Sequence, residues 1–561
     1  MNAPAQPAVV ASEPRLENTW NQDVALRSYL HRYLGANLPA LEPSFASLGA
    51  RAAVELFDLA RLAEKHKPEH QPYDIYGTRV DRLHLSHAWN AISRIGVEEQ
   101  VVATGHDADL GDLSRLVQLA RLHLFSPSSA FVMCPMAMTD GVATVLKAFP
   151  DNARFAHAVS RLLSVDPEFA WSSGQWMTEI EGGSDVSRTA TVARRTAAGG
   201  FTLHGTKFFT SATTANCALT LARIEGAPEG SRGLTMFYVE PWRADGLLDH
   251  VQIRRLKDKL GTRAMPTAEL VLDGTPAWMV GEEGRGVRTI AGVLNIARYY
   301  NTSGAVSYMA RGVQMSRAFA ALRSTFGTRL DRNPLHVETL AQMQTIYEGG
   351  LAVAMRLAYL LGRVEQNSAD ADERLVWRIL TPLAKLGTGK DVVSVTSETL
   401  EAFGGSGYME DSGVPVLLRD AQVLAIWEGT TNVLSLDMLR AAHKDGALPA
   451  LLQDTDRMLE LSRPLDPTTT DRVASALREL RGAIEHAMAD EVHAQRAARA
   501  MSMSLYRVHA AALLLDHASA SVGTPFEARS RAVAQRWAAL PMLSPMPVTE
   551  DRDAENLALL G

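Results

Sequence analysis

The residues best suited to chemistry lie in IWEGTTN, where Glu428 follows Ile426 and Trp427 and precedes Gly429. A carboxylate walled by those two apolar side chains is a candidate general base. Burial disfavours its charged form and raises its proton affinity toward neutral pH. Two further stretches, MTEIEGGSDVS at 177–187 and GTKFFTS at 205–211, combine glycines, hydroxyls and aromatic rings. Glycine lets backbone come close to a ligand, and Thr178 and Ser184 can satisfy polar edges without adding charge. Rival chemistries fail on residue identity. AKLGTGKD at 384–391 has Ala384 where a phosphate loop needs glycine and Asp391 where it needs Ser or Thr, so it predicts a helix followed by a short glycine break. GGSD, GEEGRG and GGSG lack G-x-G-x-x-G spacing, and no H-E-x-x-H, paired C-x-x-C or G-x-S-x-G occurs. The chemistry must come from a cofactor or a carboxylate.

Taken in order, MTEIEGGSDVS, GTKFFTS and the segment EAFGGSGYMEDSGVPVLLRDAQVLAIWEGTTNVLSLDMLR at 401–440 resemble the acyl-CoA dehydrogenase family. The resemblance implies an α+β fold with FAD as cofactor. It implies that Met177, Thr178, Gly183 and Ser184 form a loop over the flavin ring. Phe208, Phe209 and Thr210 would back that ring, the Thr hydroxyl turned toward it, with Phe208 replacing a frequent Trp. Arg323 and Phe326 match an R-x-x-F-G signature whose arginine meets the FAD diphosphate of a neighbouring subunit; a guanidinium fork suits that anion. Glu401, Gly404, Gly405, Thr430 and Asn432 match positions lining the adenosine and diphosphate, with Glu401 where the family usually has Gln.

The same resemblance gives Glu428 the α-proton of an acyl-CoA thioester while the β-hydride passes to FAD, leaving a trans-2-enoyl-CoA. Hydrogen bonds to the thioester oxygen, one from the Glu428 N–H, would stabilise the developing enolate. Arg298 in NIARYYNTSG would steady the base-bearing loop, and Ala297 beside it leaves Glu428 as the matched base. An electron-transfer flavoprotein as acceptor and a homotetramer, a dimer of dimers, are implied as well.

Elements that position these residues follow from periodicity. Apolar residues at helical spacing over 1–170 predict an N-terminal helical domain, and β-forming runs with glycine punctuation over 171–285 a middle β-domain. Helical spacing returns over 286–443 as a bundle and continues over 444–561 as an extra helical module, whose acidic, Pro-containing tail is expected to be mobile at its end. The added length, PYDIYGTRVDRLHLSHAWN at 72–90 and RLKDKLGTRAMPTAELVLDG at 255–274 resemble the AidB-like branch of the family. That branch raises DNA binding and acyl-CoA sequestration as alternatives. From residue 445 onward there are 12 arginines, no lysine and 16 acidic residues, which disfavours a duplex-binding surface built on Arg478, Arg481, Arg496 and Arg499. The net charge of −7, the two distant cysteines Cys134 and Cys217, and the absence of a signal-like N-terminus or a 20-residue apolar run predict a cytoplasmic protein without a disulfide framework or membrane span.

Overall fold

The computed structural model describes residues 9–10, 12–546 and 552–561. The chain forms two compact units: residues 45–110 with 117–300, and residues up to 44 with 111–116 and 301–561.

The first unit contains nine strands: β1 (Glu69–Tyr73), β2 (Arg79–His84), β3 (Ser173–Trp176), β4 (Val192–Arg195), β5 (Phe201–Ser211), β6 (Cys217–Ile224), β7 (Leu234–Val239), β8 (Val251–Leu256) and β9 (Thr267–Val280). Strands β3 to β9 make one sheet in the order β3-β6-β4-β5-β9-β7, with β8 also paired to β9. Strands β6 and β7, which also pair antiparallel with each other, are buried almost throughout, as the runs CALTLARI and LTMFYV require. The helix Met133–Leu146 is buried on nearly every face, and Thr139 Oγ1 accepts from Ser173 N at 3.0 Å, tying that helix to β3. Cys217 lies in this core, where burial pushes its thiol up to about 12, and neither cysteine forms a disulfide.

Within the N-terminal region expected to be helical, β1 and β2 form a hairpin. Its turn is set by Asp74, whose Oδ1 accepts from Tyr76 N and Thr78 N, both at 2.9 Å, with Gly77 at φ 85°. Asp81 anchors the hairpin on the sheet: its carboxylate meets His70 Nε2 at 2.8 Å and Arg79 Nε at 2.7 Å and accepts from Ile253 N of β8 at 3.2 Å. A second buried carboxylate, Asp140, accepts from Tyr300 Oη at 3.0 Å and Gln118 Nε2 at 2.7 Å and meets His106 Nε2 at 2.9 Å. These shared bonds satisfy the polar groups of three elements at once and hold the first half of the helix Gly286–Leu322, which carries Arg298.

The second unit is helical. Pro334–Glu365 starts with Pro at its first turn and an Asn333 cap, and Ala371–Ala402 starts with a reciprocal Asp370/Glu373 capping box. The expected glycine break in AKLGTGKD is absent, because the whole stretch lies inside Ala371–Ala402. Its glycines serve packing. A Cβ on Gly387 would lie 2.3 Å from the Tyr506 ring, and one on Gly389 would lie 2.9 Å from Leu424 O. After Val414–Leu424 and Thr431–His443, the extra segment adds helices Ala447–Ser462, Pro467–Ala487, Glu491–Ala520 and Glu527–Ala539. The acidic tail expected to be mobile falls partly on 547–551, outside the described residues, and Arg552–Leu560 is helical. No helix among the described residues is long and apolar enough to cross a membrane.

Two histidines of Glu491–Ala520 are buried: His517 stacks on Tyr29 at 3.7 Å and meets Ser28 Oγ at 2.8 Å, and His509 meets Thr455 Oγ1 at 3.0 Å. Burial pushes them down to about 3 and about 4. The unfolded chain therefore takes up protons below the ordinary histidine range while the folded chain does not, so their contribution to stability is complete at neutral pH and lost on acidification. Each lowers stability by about 1.4 kcal/mol per pH unit in that window. Denaturant unfolding at pH 7.5 and 5.0 should show a smaller acid loss for His509→Asn than for the wild type; equal losses would refute the assignment.

Candidate functional site

In the first unit, β3 runs directly into Met177 and Thr178. Met177 is buried in the core behind the sheet, and Thr178 O accepts from Phe208 N at 2.9 Å, joining the two sequence-predicted segments. The next residue is the anchor. Glu179 is buried, and its carboxylate accepts from Ala190 N at 2.7 Å, Thr191 Oγ1 at 2.5 Å and Lys207 Nζ at 2.6 Å. Lys207 is fully buried and donates also to Leu221 O at 2.9 Å. Burial holds its ammonium below the usual lysine range, against the pull of Glu179. A buried ion pair needs further hydrogen bonds around it, and here Glu179 accepts also from Ala190 N and Thr191 Oγ1 while Lys207 has a second acceptor in Leu221 O.

From this anchor the loop turns outward. Glu179 and Gly182 exchange backbone hydrogen bonds at 3.2 and 3.4 Å, with Gly182 at φ 153°. Gly183 lies against Thr178, since a Cβ there would be 3.0 Å from its Oγ1 and Cγ2, and Ser184 is exposed. Phe208 and Phe209 occupy an irregularity in β5, where pairing with β9 shifts between Lys207 and Thr210. The shift turns both rings out of the core, edge to face at 5.0 Å, and leaves Phe209 53 % exposed. Thr210 is buried and its Oγ1 donates its proton to Ala268 O at 2.7 Å, which leaves the hydroxyl's lone pairs as acceptors.

In the second unit, Glu428 occupies the turn between Val414–Leu424 and Thr431–His443, half-buried, with φ 56°. A non-glycine residue in the left-handed region costs on the order of 1–2 kcal/mol and persists only where its surroundings impose it. The surroundings are specific. Lys385, buried in Ala371–Ala402, donates from Nζ to Gly429 O at 2.6 Å. Asn301, with its amide oriented to satisfy both neighbours, donates to Leu424 O at 3.0 Å and accepts from Trp427 Nε1 at 2.7 Å. The expected apolar wall is half there: Trp427 is partly buried, but Ile426 is 59 % exposed because its side chain leaves the turn on the solvent side.

Other matched residues of this unit are open. Thr430 is exposed and its hydroxyl does not cap the following helix, while Asn432 Oδ1 accepts from Arg499 Nη1 at 3.4 Å. Gly404 and Gly405 have clear space where a side chain would stand, and Glu401 is exposed beside them. Arg323 donates to Val9 O at 2.8 Å, and Phe326, at the tip of the hairpin Ser324–Thr325 and Thr328–Arg329, is fully exposed with φ 51°. The structure thus gathers Met177, Thr178, Gly183, Ser184, Phe208 and Phe209 in the first unit. Glu428, Thr430 and Asn432 adjoin one another in the second, and Arg298 belongs to the first. Sequence reasoning misses Glu179, Lys207 and Lys385. The first two sit inside the matched motifs, so a charge between apolar neighbours in a β-run is the available signal.

Removing one member of the buried pair strands the other. Lys207→Met should lower unfolding free energy by about 3–5 kcal/mol in denaturant melts, and an unchanged unfolding free energy would contradict the anchoring role.

Domain comparisons cover nearly the whole chain. Residues 11–166 match the adaptive response protein AidB N-terminal domain, 174–275 the acyl-CoA dehydrogenase middle domain, 284–443 the acyl-CoA dehydrogenase C-terminal domain, and 447–557 the acyl-CoA dehydrogenase 11 C-terminal domain-like model. Acyl-CoA dehydrogenase family member 11 of Caenorhabditis elegans is 40% identical over 526 residues, covering 91% of this chain and 85% of its own. The putative acyl-CoA dehydrogenase AidB of Escherichia coli K12 is 32% identical over 421 residues, covering 73% and 75%. The crystal structure of C. elegans ACDH-11 in complex with C11-CoA superposes with TM-score 0.95 at 36% identity, over 100% of this chain and 98% of that one. With both compact units and their motifs matched in order by relatives of this identity and coverage, the chain belongs to the acyl-CoA dehydrogenase family.

Proposed function

We propose that the protein is an FAD-dependent acyl-CoA dehydrogenase in which Glu428 removes the α-proton of the thioester. The observation that carries this reading is the backbone of Glu428 itself: a glutamate in a left-handed turn fixed through Gly429 O and Trp427 Nε1. Left-handed backbone at a non-glycine residue persists where its surroundings impose it, and here they impose it on the glutamate that matches the family's base.

The residues fit the cofactor. Thr178 and Ser184 offer hydroxyls beside glycine backbone, Phe209 an exposed ring, Gly404 and Gly405 open backbone, and Thr430 a hydroxyl not used as a cap. These groups, with Met177, Gly183, Phe208, Thr210, Glu401, Asn432, Arg323 and Phe326, are proposed to hold FAD. FAD, when bound, accepts the β-hydride, which no side chain can do. Glu428 takes the α-proton, its carboxylate kept in place by a turn that cannot relax without breaking the Lys385 contact. Arg298, half-buried on its helix, is proposed to add positive charge for that turn.

A homotetramer is the proposed assembly, as the match of Arg323 and Phe326 to the R-x-x-F-G signature implies, and Phe326 is fully exposed in the single chain. An electron-transfer flavoprotein is the proposed acceptor, and the two buried cysteines without a disulfide suit the cytoplasm. DNA binding through the extra helices finds less support: Arg457, Arg463, Arg481, Arg529, Arg531 and Arg536 are each paired with a carboxylate, Arg481 being one of the four arginines considered for a duplex-binding face.

Glu428→Gln should keep FAD and its thermal stability while lowering kcat about 10²- to 10⁴-fold. Steady-state turnover with a dye acceptor measures this, and unchanged kcat would eliminate Glu428 as the base.

A further inference from the structure

Lys257 and Glu269 both belong to the segment 255–274, and together they reach the aromatic pair of β5. Arg255 and Glu269 are partners in the β8–β9 ladder, and Lys257 follows the last residue of β8, where its N–H donates to Thr267 O at 2.8 Å. The Lys257 side chain folds back onto the sheet. Its Nζ meets Glu269 Oε1 at 2.6 Å and lies 3.3 Å from the centroid of the Phe208 ring and 4.7 Å from that of Phe209. Only 11 % of the Lys257 side chain is exposed, against 66 % for Arg255, the second cation on the same carboxylate. The register shift in β5 has turned both phenyl rings away from the core, so core packing no longer selects their rotamers. An ammonium over a ring face supplies that constraint instead, because the ring quadrupole attracts it and a ring that swings off the cation loses the attraction. The contacts run from β9 through Glu269 and Lys257 to Phe208, and on to Phe209 by the edge-to-face contact at 5.0 Å.

We propose that Lys257 is a positioning residue for the cofactor: it holds Phe208, and through it Phe209, in the orientation that FAD meets. The inference rests on the reading that this Phe pair backs FAD, and it gives Lys257 no contact with the cofactor itself. A cation–π contact of this kind shifts an equilibrium by about two- to thirtyfold. Lys257→Met removes it and keeps most of the side-chain length, whereas Lys257→Arg retains a cation that can lie over the ring.

A double-mutant cycle on FAD affinity tests this, with the dissociation constant of the full-length flavoprotein measured by equilibrium dialysis for the wild type, Lys257→Met, Phe208→Leu and the double variant. Each single variant should weaken FAD about fivefold or more, and the double variant should be no weaker than Phe208→Leu, because Lys257 acts through the ring. The visible circular dichroism of the bound flavin should change in Lys257→Met and return in Lys257→Arg. Arg255→Met takes the other cation from Glu269 without touching a ring, and it should bind FAD as the wild type does. Wild-type affinity in Lys257→Met, effects that multiply in the double variant, or an equal loss in Arg255→Met overturns the proposal. A wild-type chain that takes up no FAD overturns it together with the dehydrogenase reading. Glu428→Gln should bind FAD normally, so retained turnover there removes the base and leaves the Lys257 cycle standing.

Discussion

A buried lysine, Lys385, holds the carbonyl of Gly429 at 2.6 Å, and the turn that carries Glu428 depends on that contact. Left-handed backbone at a glutamate stores a small strain, and an ammonium cut off from water can offset it because its hydrogen bond is charge-assisted. The helix that supplies Lys385 is brought close by glycine: at Gly389 any side chain would strike Leu424 O. Asn301 grips the same turn from Leu424 and Trp427. Sequence, helix packing and side-chain placement therefore converge on one carboxylate.

The first unit follows the same principle with the charges arranged differently. A loop meant to touch a ligand must be exposed, yet an exposed loop rich in glycine loses much entropy on ordering. Here the loop is anchored at its root, where Glu179 and Lys207 satisfy each other in a dry interior and draw Ala190, Thr191 and Leu221 into one network. Thr178 and the Phe208–Phe209 pair then project from fixed backbone. Charged groups carry the precision in both units while apolar burial carries the stability.

Much of this is legible in the amino-acid sequence alone. The change from helical to β to helical spacing, the glycine- and hydroxyl-rich loop and the EGTTN turn all announce themselves locally. Less legible are features fixed by distant residues. Lys385 sits in a stretch whose glycines suggest a chain break, but those glycines serve contact with Tyr506 and Leu424, partners far along the chain. Ile426 reads as a wall for the base yet points to solvent, since periodicity cannot orient residues inside a tight turn. The β1–β2 hairpin hides inside a helical region because each of its strands is too short to outweigh the pattern around it.

The proposed reaction requires Glu428 and bound FAD together to desaturate acyl-CoA. Anaerobic addition of saturated acyl-CoAs of increasing chain length, followed through the visible absorbance of the oxidised flavin, tests this most directly. Rapid bleaching with one chain-length class is expected in the wild type and none in Glu428→Gln. A bound flavin that no acyl-CoA bleaches, or equal bleaching in the variant, would contradict it.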